Sequence, residues 1–503
     1  LLDALRFGHW AIVSAFAERV QAWPQAQLSQ LYLDLAAPGL GAARRWLLDH
    51  GLHAEARLET PRVDDAETGE EVVLPPPGRR LFDALLQQLP DATEAVEDLQ
   101  QGGASPAGAG LLALALVQLG NAAQATALPL NLLGRGADPF GPDARGRTPL
   151  HLAASHAQGE LLRTLLALGC DPNTRDCDQR TPLFAALEHG AAALPLVRSL
   201  IAHGADPEAA DTHGETPLGL ALEHPVLERW LDWRDWPLPH RALRAEDLPA
   251  AAAAGALGAV QRLLELGLAV DAHDEQGATA LLRACGAGHR EVAACLLEAG
   301  ADPALPAHSG VTALVAAVTA RREALVTLLL QHGVAVDQRL PNEATALMVA
   351  AALGYPDIVD QLLEAGADAK AVDAAGRGAL HAAAQFGFEH NDSLRARRLF
   401  DGLLKRGADI NHADREGKTP LLLLLGAHLP PGSGGDATHL GALVPLLLDA
   451  SARVEHADQR GVTALHACAM HAMLAPARVL LSRGADRQAT DAFGRSAADV
   501  ARQ

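Results

Sequence analysis

Large aromatic side chains are scarce in this chain: six Trp, nine Phe and two Tyr in 503 residues, only 3% of the total. Aromatics usually supply much of the buried volume of a core, so here Leu, Val and Ala must pack in their place. Lysine is almost absent, with three against 38 arginines, a bias that resembles high-GC bacterial genomes. No apolar run approaches the ~18 residues of a membrane helix. The longest, Leu111–Val117 and Ala250–Val260, are short and contain Ala or Gly. The five cysteines (Cys170, Cys177, Cys285, Cys295, Cys468) form no CxxC pair, so neither a disulfide framework nor a zinc site is indicated. Residue 1 is Leu and the first Met is Met348, which points to a processed chain or an excised piece, with any targeting segment out of view. Basic residues are outnumbered 41 to 61, a net charge of −20. Such a chain repels phosphate backbones, which argues against nucleic acid as a partner.

What remains is a hydrophobic, folded chain, 49% apolar and 20% charged. Its length alone suggests about three domains, but self-similarity overrides that division. Asp143-Ala-Arg-Gly-Arg-Thr-Pro-Leu150 returns as Asp176-Cys-Asp-Gln-Arg-Thr-Pro-Leu183 and Asp211-Thr-His-Gly-Glu-Thr-Pro-Leu218. Further copies start at Asp274, Ala307, Leu340, Asp373, Asp414, Asp458 and Asp491, and the steps from 274 through 307 and 340 to 373 are all 33 residues. A fixed period of this size is the mark of a stacked repeat protein.

The copy Asp274–Leu305 gives the physical unit. Asp274-Glu-Gln-Gly277 is turn chemistry, with Gly supplying a positive φ. Thr279 is placed to cap a helix, and Pro149, Pro182, Pro217 and Pro420 occupy the first helical position in other copies. A helix over 280–287 stops at Gly288, and a second, 291–299, carries Val292, Leu296 and Leu297 on one face before Gly300. Helices this short are marginal alone. Each apolar face must be covered by the next copy, which makes a solenoid.

The pattern resembles the ankyrin repeat on three counts: Thr148-Pro-Leu-His-Leu-Ala-Ala154, Gly288-His-Arg-Glu-Val292, and the Gly-Ala-Asp stops at Gly204, Gly300, Gly366, Gly407 and Gly484. The resemblance implies an all-α solenoid of helix-turn-helix units joined by short β-hairpin turns. It also implies that His151, His381 and His466 are structural, held in loop hydrogen bonds. It covers 143–503. Residues 1–142 lack the turn signature but keep the rhythm of paired helices, as in Phe7-Gly-His-Trp-Ala-Ile-Val13, 43–52, 81–103 and 108–138. They are expected to be about four degenerate capping repeats, with a separate helical domain as the alternative. The total is about fifteen.

Four interruptions divide the chain. Residues 59–77 form an acidic insertion suited to a protruding hairpin, within a stretch, 55–101, of twelve Asp/Glu against four Arg. The step from 211 to 274 is irregular and carries Trp230-Leu-Asp-Trp-Arg-Asp-Trp236, whose i, i+3, i+6 spacing shares one face if helical, with Pro237 and Pro239 as its terminators. Two longer steps place extra residues between paired helices, at 386–396 and 428–440. The expected segments are therefore 1–142, 143–240 and 241–503.

Searches for chemistry fail on specific residues. Gly417-Lys-Thr419 ends like a phosphate loop, but its required first glycine is His412. No metalloprotease, nucleophile-elbow or dinucleotide motif occurs. The cysteines read as small buried hydrophobes, and His203, His289 and His332 as helix-end caps. No catalytic residue, cofactor or metal is expected. The turn tips, by contrast, vary on a fixed frame: Arg145, Gln179, His213, Gln276, Asn342, Arg415 and Arg460 stand where neighbouring Thr, Leu and Gly do not change. These tips are the candidate partner-binding residues, with Trp230, Trp233 and Trp236 as either a seam filler or a binding hot spot. The reading is a non-catalytic, monomeric, cytoplasmic scaffold that binds a protein through the concave surface the resemblance implies. The alternatives are the recognition part of a longer enzyme or membrane-anchored protein, and a small-ligand or peptide binder at the Trp-rich break.

Overall fold

The computed structural model describes residues 1–58, 79–120, 127–222, 224–433 and 436–502. The hairpin expected at 59–77 lies outside these residues. Two compact units result, Leu1–Leu243 and Arg244–Gln503. The change in sequence regularity near residue 142 falls inside the first unit.

The first unit contains seven antiparallel helix pairs among its described residues: Leu2–Arg6 with Trp10–Ala15 and its continuation Ala17–Val20, Gln25–Asp34 with Gly41–Asp49, Leu81–Leu86 with Thr93–Gln101, Leu111–Leu119 with Ala127–Gly134, Pro149–Ser155 with Gly159–Ala167, Pro182–Leu187 with Leu194–Ala202, and Pro217–Ala221 with Pro225–Leu231. The second contains seven more, from Asp247–Ala254 with Leu257–Glu265 to Ala464–Met470 with Leu474–Ser482, and then a single helix Ala497–Val500. No strand forms among the described residues beyond isolated bridges such as His273 to Thr279 and Ala457 to Thr463.

Each element follows from its local sequence. Thr216, Thr279 and Thr312 accept the N–H three residues on, at 3.0, 3.3 and 3.4 Å, and so cap first helices. Gly288 ends one at φ +95°, a conformation that strains any other residue. Within each unit, first helices stack on first helices and second on second. The first helices bury small residues, such as Ala153, Ala154, Ala317, Ala350, Ala351 and Ala383. The second helices bury branched ones, such as Leu161, Leu165, Val292, Leu296, Ile358 and Leu362. Small facing residues let adjacent helices approach closely, so the core closes without aromatics.

Two expectations need correction. The Trp segment is not one helix: Pro225–Leu231 ends at Asp232, whose ψ of 99° turns the chain out of helical geometry before Trp233. Pro237 and Pro239 therefore terminate nothing. The extra residues 386–396 do not all lie between the helices: only 390–392 connect them. The others lengthen both helices, Ala379–Glu389 and Ser393–Lys405, because Phe386 and Phe388 are buried at 3% and 4% exposure and hold the added turn. The second insertion is split: 437–440 joins the helix Ala437–Asp449, capped by Asp436, while Pro430–Ser433 remains loop.

Candidate partner-binding surface

Eight of the turns are built by one carboxylate each; those starting at Ala307 and Leu340 have none. Asp143 Oδ1 accepts the N–H of Arg145 and of Arg147, both at 2.9 Å, and Oδ2 takes the Arg147 guanidinium at 2.8 Å. Asp176, Asp211, Asp274, Asp373, Asp414, Asp458 and Asp491 accept the same pair of N–H groups. Burial pushes the Asp143 carboxyl up, but these N–H groups and the guanidinium outweigh it and hold it below the usual range. Asp274 and Asp491 show the same balance.

Successive turns are then tied tip to tip. Cys177 N donates to Arg145 O at 3.0 Å and Thr212 N to Asp178 O at 3.1 Å in the first unit. In the second, His308 N donates to Gln276 O, Ala374 N to Asn342 O, Arg415 N to Ala375 O, Gln459 N to Glu416 O and Ala492 N to Arg460 O, all at 2.9–3.0 Å. Position 341 is proline and has no N–H to contribute.

Buried histidines lock the turns from below. His151 Nδ1 accepts from Thr148 and its Nε2–H donates to Arg180 O at 3.0 Å, in the next turn. His381 and His466 repeat this toward Lys418 O and Arg495 O. Burial lowers the His381 pKa to about 4, so the ring is neutral. The helix-end histidines are also structural: His203 and His332 donate to carbonyls four residues back, and His289 to Ala253 O.

On this frame Arg145, Gln179 and His213 are exposed along one row in the first unit, and Gln276, Asn342, Arg415 and Arg460 along another in the second. Gln276 Oε1 accepts from Arg283 at 2.6 Å, which fixes that tip against its first helix. Beside the first row lies a 370 Å³ groove lined by Arg145, Arg147, Arg180, Phe184 and Glu188, in which the Arg180 guanidinium sits 5.7 Å from the Phe184 ring. The first-helix side chains of this groove escaped the sequence reading. Their signal was the variable position next to the Thr-Pro-Leu motif, occupied by His151 in one copy and Phe184 in the next.

The three tryptophans lie under the surface, at 3%, 5% and 8% exposure. Trp233 Nε1 donates to Trp230 O at 2.9 Å, its ring lies 6.2 Å from that of Trp236, and the Arg198 guanidinium sits 4.8 Å over Trp230. This is the geometry of a filler, and no indole stands out as an anchor. Cys285 and Cys468 are buried and pushed up to about 12 by that burial, which keeps them as thiols. Among the described residues, no group of three His, Cys, Asp or Glu is placed to hold a metal ion, and no helix is long and apolar enough to cross a membrane.

A family model described as "Ankyrin repeats (3 copies)" matches residues 119–211, 150–228, 248–340, 304–373 and 347–425, more than half of the chain. No curated protein matches it. Among solved structures, the ankyrin repeat domain of Bcl-3, described as a unique member of the IkappaB protein family, is similar at 25% identity. The match covers 46% of this chain and 96% of that one, with a TM-score of 0.38.

Proposed function

The chain belongs to the ankyrin-repeat family, and from that premise we propose that it is a non-catalytic scaffold that binds a protein partner through its turn tips and the first-helix grooves beside them. Ankyrin repeats are in general protein–protein interaction modules. The observation that carries the reading here is the contrast within each turn. Asp, Thr and His side chains are consumed by the frame, while seven tip side chains, three Arg, two Gln, one Asn and one His, are exposed on it. A surface held rigid in this way loses little conformational entropy on binding.

Site-directed photo-crosslinking tests it. Benzophenone side chains replacing Arg145, Gln276, Asn342 and Arg460 should trap one and the same partner from the source cells. The same group replacing Arg163, Arg290 and Glu323 on the second helices should not. Trapping from the second helices alone, or from no position, would refute the proposal.

A further inference from the structure

Regular repeats join their two helices by two or three residues, as between Ala280–Ala287 and Arg290–Glu298. In the pair Pro420–Leu424 with Ala437–Asp449, residues 425–436 intervene. The described part of that connection does not project. Gly432 N donates to Met470 O at 3.0 Å, on the first helix of the next pair, and Ser433 Oγ to Pro430 O at 2.7 Å. Pro430 and Pro431 stiffen the pinned segment by fixing φ. The loop walls off what is elsewhere an open groove and leaves a 540 Å³ cavity between itself and the last two turns.

The polar groups around this cavity are unevenly satisfied. Its one lining carboxylate among the described residues, Asp491, is saturated by the N–H groups of Phe493 and Arg495 and by the Arg495 guanidinium at 2.7 Å. Lys418 is held by Glu416 at 2.6 Å, and both ring nitrogens of His466 are occupied. The Arg460 guanidinium makes no hydrogen bond or ion pair, although the Glu416 carboxylate lies within its electrostatic reach, and both ring nitrogens of His428 are buried without a hydrogen-bond partner. The open capacity is therefore the cationic guanidinium of Arg460, on a chain of net charge −20. Beside it stand Pro430, Pro431 and the ring of Phe493, which is 71% exposed and overlain by Arg495 at 5.0 Å.

We infer that this walled cavity takes an acidic partner segment, with a carboxylate on Arg460 and a neighbouring apolar side chain between the Pro430-Pro431 wall and Phe493. The inference rests on the reading of the tip and groove surface as partner-binding, and it names the partner's chemistry. Charge complementarity sets the orientation and the apolar contact holds it.

The probe is a fluorescein-labelled decapeptide with Leu and Phe flanked by glutamates, followed by anisotropy on the full chain. Its glutamine and lysine counterparts should bind at least about tenfold more weakly, a difference of about 1.4 kcal/mol. Arg460→Glu should weaken the glutamate peptide by at least about tenfold, and Phe493→Ala should weaken it too, while Arg163→Glu, on an exposed second-helix face of the first unit, leaves it unchanged. Both cavity substitutions are at exposed positions, and thermal melts of each variant check that the fold is kept. Absence of binding, equal binding of the lysine peptide, or indifference to Arg460→Glu would overturn the inference. If the glutamate peptide fails while the tip crosslinks succeed, the cavity alone is misassigned. If both fail, the partner-binding reading falls with it.

Discussion

The first helix pairs of the chain and the regular repeats of the second unit solve one problem, attaching a pair to its neighbour, in opposite ways. Between regular repeats the ties are many and small. Besides the tip ladder, His289 donates to Ala253 O, Gln338 to Ala304 O, Arg339 to Val372 O, His412 to Gly376 O and His456 to Gly417 O. Each is a single neutral or exposed bond of about 1 kcal/mol. Between the pairs Gln25–Asp34 with Gly41–Asp49 and Leu81–Leu86 with Thr93–Gln101, the ties converge chiefly on two side chains, besides Gly39 N donating to Glu94 Oε2 at 2.8 Å. Arg44, fully buried, reaches Asp98 at 2.7 Å, Glu94 at 3.1 Å and the carbonyls of Leu35 and Ala37 at 2.9 Å. Tyr32, also fully buried, donates to Ala95 O at 2.9 Å. Where the sequence repeats, attachment is distributed; where it does not, it is concentrated. The Trp-filled end of the first unit belongs to the second kind.

Concentration predicts a large effect from one substitution. Arg44→Met keeps the apolar stem but leaves Asp98 and two carbonyls without their partner. Removing one member of a buried charge pair costs about 3–5 kcal/mol, and the lower end of that range applies here because the Glu94 partner is half-exposed. Native-state hydrogen exchange should show protection falling across Gln25–Asp34 through Thr93–Gln101 and unchanged in Ala280–Glu364. A loss below about 1 kcal/mol would mean that apolar packing, and not Arg44, joins these pairs.

The regular region has its own titratable lock in His381, and its effect is smaller. The ring's pKa falls from 6.5 in the unfolded chain to about 4 in the fold. Between these values the unfolded state binds more protons, so stability rises with pH. The contribution is complete above pH 6.5 and is lost by about pH 4, some 3 kcal/mol from the size of the shift. Denaturant unfolding of the wild type and His381→Gln at pH 7 and pH 4.5 isolates it. The variant should be less stable at pH 7 and lose less on acidification. Equal slopes would show that the buried ring does not couple to the fold.

Legibility in the sequence follows the same contrast. The turns, caps and paired helices of 143–503 were readable because their determinants lie within one period: an Asp at the turn, Thr before the helix, Gly after it. The candidate tips were readable as the positions that this grammar leaves open. What escaped depends on residues distant in sequence. Nothing in Ala43-Arg-Arg-Trp46 says which arginine is buried, since Asp98 lies 54 residues away. The Trp segment has helical spacing, yet Asp232 ends its helix and the chain runs back, with Leu243 N donating to Ala202 O at 2.9 Å. The wall beside Arg460 depends on Gly432 finding Met470 O, a contact that Pro430-Pro-Gly-Ser433, read alone, presents only as loop.

The smallest expected effect separates frame from function at a single tip. The fourth turn residue is glycine in most copies, but Gln179 and Glu343 hold it at φ +60° and +64°. A side chain in that left-handed region costs about 1–2 kcal/mol. Glycine removes this strain but returns about 0.5–1 kcal/mol in unfolded-state entropy. Gln179→Gly and Glu343→Gly should each therefore stabilise by about 0.5–1 kcal/mol. The backbone bonds survive, because Gln179 O and Glu343 O are what Arg175 and Arg339 contact. The exposed Arg339–Glu343 pair at 3.9 Å adds almost nothing to lose. Gly277→Ala runs the opposite way, since its new Cβ would meet His308 Cδ2 at 2.5 Å, and it should destabilise more than either glycine stabilises. Denaturant midpoints at constant slope measure all three. The informative comparison is with crosslinking from Arg145, the neighbouring tip. If Gln179→Gly stabilises the chain and weakens partner capture, the strained side chain is held there for contact. If capture is unchanged, Gln179 leaves the binding surface and Arg145 and His213 must carry that row.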